Sequence, residues 1–246
     1  MALVRERALI LQVFPYSDTS KILKLLCEAH GVRTVIAKGA LRPRGRFGGV
    51  LEPFTEGEAQ FWLKEGREMH TLGGFDLLRS RQSLGRDLVA FSGASLLAEL
   101  ALRFGTDEGQ PELFALLIRQ LDRLAEAKGD EAAGIALSGA WQLVSLLGYE
   151  PRMDVCVGCG REVGAGESTR FDVLAGGVAC TRCRPEGRLV DARTRGEVAA
   201  MCAGEAPLEP TSDWRLHRAL LRAFVGTHLS QEHPLRSLDL FIDLLP

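Results

Sequence analysis

Two Cys-x-x-Cys pairs, Cys156/Cys159 and Cys180/Cys183, stand 20 residues apart in this 246-residue chain. Each such turn aims two thiolates at one point, and two turns complete a tetrahedron around a soft cation. Gly158 and Gly160 suit tight knuckles in which backbone passes close to sulfur. Between the pairs, Phe171 to Ala179 reads as a short hairpin with a Gly-Gly turn. The expected chemistry is a closed, structural zinc site. Four protein ligands leave no open position for water or substrate, which argues against catalysis at the metal. Iron is an alternative occupant of the same four sulfurs. Two disulfides are an alternative use of them, disfavoured because no secretory segment marks an oxidising destination. A redox dithiol needs one pair, not two at ribbon spacing.

The elements that hold this site change character along the chain. Residues 3–78 read as strands: Leu9, Leu11 and Val13 facing one way, Ile22 to Cys27, Val32 to Ala37, Gly57 to Leu63 and Met69 to Leu78. Five strands in under 80 residues, with one long irregular loop over 39–49, predict a small closed barrel of OB type. An SH3-like barrel has a similar pattern. From about residue 83 the period becomes helical. Asp87 to Phe104 is one helix, and Pro111 opens another whose face carries Leu113, Leu117, Leu121 and Leu124. A helix over 132–148 ends at Gly148, Asp191 caps a helix to Cys202, and Pro207 and Pro210 break the chain. Leu216, Leu220 and Phe224, with Leu221 and Val225, mark a further helix, and Leu235 to Leu245 a last short one. The expected plan is an OB-fold barrel over 1–80, then a helical domain over 81–246 with a four-cysteine zinc finger inserted at about 150–187.

Composition is that of a soluble globular protein, at 46% hydrophobic and 25% charged, which argues against a disordered chain. The uncharged run 132–149 approaches membrane-spanning length. It contains Ser138, Gln142, Ser145 and glycines 134, 139 and 148, so a buried central helix accounts for it better. A cytoplasmic protein without membrane contact is the expectation.

Net charge is −2, but its distribution is uneven. Residues 1–50 hold nine Lys/Arg against three acids, on a chain whose remainder is acidic. This pattern suggests a localised polyanion-binding face. The glycine-rich loop carries Arg42, Arg44 and Arg46 with Phe47 beside them. Mobile arginines reach phosphates without a fixed register, and an adjacent aromatic stacks on an unpaired base. Lys21, Lys24, Arg33 and Lys38 extend the expected DNA track across the barrel. Tyr16 reads equally as a stacking or a packing residue. Trp141, Trp214, Cys27, Cys202 and His217 read as core, and Arg193 and Arg195 as a solvated face. Phosphate-loop, metalloprotease, hydrolase and zinc-deaminase motifs are all missing, so the chain reads as a binder and not an enzyme.

From Leu147 the sequence runs L-G-Y-E-P-R-M-D-V-C-V-G-C-G to Gly160, and with Phe171 to Cys180, Ala37 to Ala40 and the closing Leu235-Arg-Ser-Leu it resembles the RecO family. These are bacterial recombination mediators of DNA repair, and the resemblance is to the zinc-finger-bearing type and spans essentially the whole chain. It implies an N-terminal OB domain and a helical C-terminal domain carrying a structural zinc. It implies binding of single- and double-stranded DNA, annealing of complementary strands and partnership with RecR. It also implies help for RecA in replacing single-stranded DNA-binding protein. The DNA-contact residues rest on charge and not on the resemblance. A reading of another class is a zinc-stabilised protein-interaction module, whose barrel docks a protein and not nucleic acid.

Overall fold

A computed structural model describes residues 2–42, 45–64, 66–128, 131–205, 212–229 and 234–245. Five strands, β1 (Ala2–Ser17), β2 (Ser20–Cys27), β3 (Gly31–Ala37), β4 (Glu56–Leu63) and β5 (Met69–Arg79), close a barrel in the order β1-β2-β3-β5-β4. All pairings are antiparallel except β3 with β5, which is the five-stranded Greek-key arrangement of an OB-type barrel. Its interior holds Ala8, Ile10, Leu23, Leu25, Val35, Phe61 and Leu72, with Phe47 and Leu51 contributed by the long loop.

The inward face of β1 differs from the expected Leu9–Leu11–Val13 set. Ala8 and Ile10 point into the barrel, and a register shift against β2 between Ile10 and Gln12 lets Val13 join them. An extra residue in one strand flips side-chain parity beyond it. Leu9 and Leu11 are also buried, so this part of β1 is covered on both sides.

After a short 3₁₀ turn (Gln82–Arg86) come α1 (Leu88–Phe104), α2 (Pro111–Glu126) and α3 (Glu131–Leu146), then a small ribbon, then α4 (Ala192–Ala203), α5 (Trp214–His228) and α6 (Arg236–Leu244). Asp87 caps α1 through the Ala90 amide (2.9 Å), and Asp191 caps α4 through Thr194 (2.7 Å). Residues Ala132 to Val144 of α3 are all buried, which explains an uncharged run of that length. No helix is long and apolar enough to cross a membrane among the described residues. Pro207 and Pro210 lie outside the described residues.

The chain divides into two compact units: 1–86 with 97–126, and 87–96 with 127–246. In the first, α2 is tied to the barrel by Arg81, whose side chain is fully buried. Arg81 donates to Glu56 (3.0 Å), Asp122 (2.6 Å) and the Phe54 carbonyl (3.0 Å). Arg7 completes the network from the other side of Glu56 (2.7 Å). Burial alone would raise the Glu56 carboxyl, but the Arg7 and Arg81 hydrogen bonds outweigh it and hold it below its ordinary value.

In the second unit α3 packs on α4, and α5 contacts both α4 and α6. An aromatic chain runs from Trp141 on α3 through Phe224 on α5 (5.5 Å between centroids) to Phe171 in the ribbon (6.1 Å). Trp141, Trp214, Cys27 and Cys202 are buried packing residues. His217 is buried too, its Nε2 2.7 Å from Glu197.

Candidate metal centre and nucleic-acid interface

The four cysteine sulfurs of Cys156, Cys159, Cys180 and Cys183 all lie within 4.8 Å of one another. Thiolates about 2.3 Å from a central ion form a tetrahedron with edges of about 3.8 Å, so the cluster has the size a metal requires. None of the four is in a disulfide. The ribbon that presents them is β6 (Thr169–Asp172), β7 (Gly177–Ala179) and β8 (Leu189–Val190), in the order β7-β6-β8. Its hairpin turn is a four-residue loop, with Asp172 opposite Gly177 and Asp172 Oδ1 accepting from the Ala175 amide (3.0 Å). Gly176 occupies the left-handed position (φ 75°) while Gly177 belongs to the strand, so the two glycines do not form the turn alone.

The knuckle glycines act for different reasons. A Cβ on Gly158 would sit 2.9 Å from Cys183 Cβ and 3.2 Å from its Sγ, so this position must be bare for the knuckles to meet. Gly160 has open space around it and supplies a left-handed φ of 73°.

The electrostatics suit a cation. Burial pushes the Cys156 thiol up, but amide donors from Cys180, Cys159 and Gly158 prevail and bring it to about 6. The Cys183 amide, with Arg161, lowers Cys180. Cys183 is pushed up to about 12 by its cysteine neighbours, since a fourth negative charge in the cluster is unfavourable without a positive ion among them. The cluster around the cysteines is small, with Cys156, Ala179 and Cys180 buried and Val157 and Val163 beside them, so it offers little apolar surface to hold the knuckles unaided.

Two arginines around the metal segment carry roles that spacing did not reveal. Arg161 pairs with Glu167 and donates toward the Cys180 thiolate. Arg195, expected on a solvated face, is 7% exposed and donates to the carbonyls of Gly164 (2.7 Å) and Glu167 (3.1 Å), stapling the ribbon loop to α4. Arg193 pairs with Glu197 at 2.9 Å.

The expected DNA track does not form one face. Side chains alternate along a strand, so Lys21 and Lys24 point to opposite sides of β2. Lys21 turns inward and is held by the Leu51 carbonyl (3.1 Å) and Glu52 (2.9 Å). Arg33 lies opposite buried Leu25 and donates to the Asp107 carbonyl at 2.5 Å. Both are occupied in structural contacts. Lys24 faces outward and donates to Thr34 (2.8 Å). Lys38, Arg42 and Arg46 are exposed, and Lys38 and Arg42 have no side-chain partner among the described residues. Arg44 lies outside the described residues.

Phe47 is not an exposed ring beside the arginines. It is 3% exposed and belongs to the barrel core, with the Arg46 guanidinium over its ring at 4.9 Å. An aromatic within a mobile-looking loop served as the loop's anchor, because the barrel end needs an apolar plug. Exposed aromatics stand elsewhere: Tyr16 at 57% and Phe14 at 44% exposure. Phe14 pairs with Ile22 and Lys24 with Thr34, so Phe14 and Lys24 share the outer face of β1–β3. Phe14 was missed because it reads as one apolar residue of a strand.

Comparison with known proteins gives one consistent result. A family model described as "Recombination protein O N terminal" matches residues 1–81, and one described as "Recombination protein O C terminal" matches residues 85–239. The chain is 35% identical over 241 residues to the DNA repair protein RecO of Rubrobacter xylanophilus, covering 95% of this chain and 94% of that protein. It is 33% identical to the DNA repair protein RecO of Anaeromyxobacter sp. strain K, covering 93% and 92%. It is 30% identical to that of Geobacter sulfurreducens, covering 99% of each.

Proposed function

The chain belongs to the RecO family, and from that premise we propose that it is a DNA-binding mediator of recombination and repair that acts by binding strands, not by catalysis. It binds single- and double-stranded DNA without sequence preference and anneals complementary strands. With RecR it helps RecA load onto strands coated by single-stranded DNA-binding protein. The observation that carries the DNA reading is the outer face of β1–β3 with its adjoining loop. There Lys24 shares a face with the exposed ring of Phe14, Tyr16 is exposed near the end of β1, and the adjoining segment carries the exposed cations Lys38, Arg42 and Arg46. Cations along a backbone path lower the repulsion between phosphates, and ring stacking holds a base by its face while its pairing edge stays free.

Each of the expected contacts has a place in this proposal. Lys24, Lys38, Arg42, Arg44 and Arg46 reach phosphate. Lys21 and Arg33 shape the barrel ends. Phe47 fixes the loop, and Tyr16 and Phe14 take over the stacking role. Zinc, held by Cys156, Cys159, Cys180 and Cys183, fits the size and all-sulfur chemistry of the cluster. It would supply a cross-link that fixes the ribbon on the helices and no chemistry beyond that.

The test is annealing of two complementary oligonucleotides with and without the protein at low salt. The proposal expects acceleration that declines as salt rises. Absence of both binding and acceleration would instead favour a zinc-stabilised module that docks proteins.

A further inference from the structure

Annealing requires two strands, and the barrel face accounts for one. The helical unit carries a second concentration of cations. Arg188, Arg215, Arg218 and Arg222 line an open groove of about 540 Å³ together with Ala219, Ala223 and Ile242. Arg215, Arg218 and Arg222 fall at i, i+3 and i+7 on α5, so they share one helical face. Arg188 comes from the ribbon, one residue before β8.

These four are not equally engaged. Arg222 pairs with Asp239 (3.3 Å) and Asp243 (3.0 Å), and Arg218 donates to the Leu245 carbonyl (3.0 Å). Arg188 and Arg215 have no side-chain partner among the described residues. The groove thus holds two anchored guanidinium groups and two available ones.

The layout fits a chain of phosphates better than a single ion. Seven residues of helix span about 10 Å, long enough for more than one phosphate of a strand. The small side chains of Ala219 and Ala223 permit close approach of a backbone, and among the described residues no aromatic lines the groove to hold a base. A strand seated here would be gripped by phosphate alone, with its bases turned outward and free to pair.

We propose that this arginine-lined groove binds the sugar-phosphate backbone of the second strand during annealing. The inference rests on the DNA reading above and deepens it. The test uses the full chain and the double variant Arg188→Ala/Arg215→Ala, chosen because neither side chain has a partner to lose among the described residues. The protein is first saturated with one fluorescent oligonucleotide, and capture of a second, differently labelled strand is then measured, together with annealing rate.

The variant is expected to bind the first strand as the parent does and to capture the second roughly tenfold more weakly, with the salt slope of that step smaller by about 1.4. Annealing should slow in parallel. Second-strand capture and annealing equal to the parent's would overturn the proposal while leaving the DNA reading intact. Polyglutamate binding that is lost in the variant, with annealing unchanged, would assign the groove to an acidic protein and likewise overturn it. A parent that binds no strand at all would mark failure of the DNA reading itself, and the groove assignment would fall with it.

Discussion

Replacing Phe47 by leucine, and separately by alanine, tests whether the basic loop is anchored by this ring or uses it to hold DNA. The ring is 3% exposed within the barrel core and lies beneath Arg46. Deleting it should cost about 3–5 kcal/mol of stability, the usual range for a buried phenylalanine cut to alanine. Leucine keeps most of the apolar contact and should cost about 1.5 kcal/mol or less. If the ring only anchors, folded Phe47→Leu should bind a single-stranded oligonucleotide within about twofold of the parent, because no base contact is lost. If it stacks on a base, the same change removes about 1–3 kcal/mol of binding, roughly 5- to 150-fold. Urea midpoints measure the first effect and fluorescence anisotropy the second. A Phe47→Leu protein of parental stability whose affinity has fallen tenfold or more would refute the anchoring argument.

Arg81→Met strands the buried Glu56 and Phe54 carbonyl, and should destabilise the barrel unit by about 3 kcal/mol. This is the low end for a broken buried pair, since Arg7 still reaches Glu56; urea unfolding checks it. The pH dependence follows from the same carboxylate. Glu56 is held below its ordinary value when folded, so its contribution is fully present above the unfolded pKa of about 4.3 and is lost as pH falls through the folded one. Thermal melts of the parent between pH 7 and 3 should therefore show a steep decline below about pH 4, and Glu56→Gln should flatten it. Cys156→Ser should release metal and lower the melting temperature of the helical unit, read by a colorimetric zinc assay and circular dichroism. An unchanged melting temperature would contradict a structural role for the ion.

The metal cluster was legible because Cys-x-x-Cys is a local geometric device, and two such turns have few ways to be used. Helix starts at Pro111 and Asp191 were legible for a similar reason, since caps act within three or four residues. Strand parity was not. The register shift in β1 depends on its pairing with β2, and no residue in β1 alone announces it. Charge misled in a related way. The basic surplus of residues 1–50 is a property of the sequence, whereas Arg5, Arg7, Lys21 and Arg33 meet partners brought from elsewhere in the chain: Glu58, Glu56, Glu52 and Asp107. The α5 arginines were not legible as part of a larger cluster, because only folding aligns them with Arg188.

In the proposed mode of binding, cations of the barrel loop hold a DNA backbone. The direct measurement is the slope of log affinity against log salt for a fluorescent single-stranded oligonucleotide, for the parent and for Lys38→Ala/Arg42→Ala/Arg46→Ala. Each lost phosphate contact should reduce the slope by about 0.7, so the triple variant should show a slope about 2 smaller and weaker binding at every salt concentration. An unchanged slope in the variant, or a parent that shows no salt-dependent binding, would contradict the account.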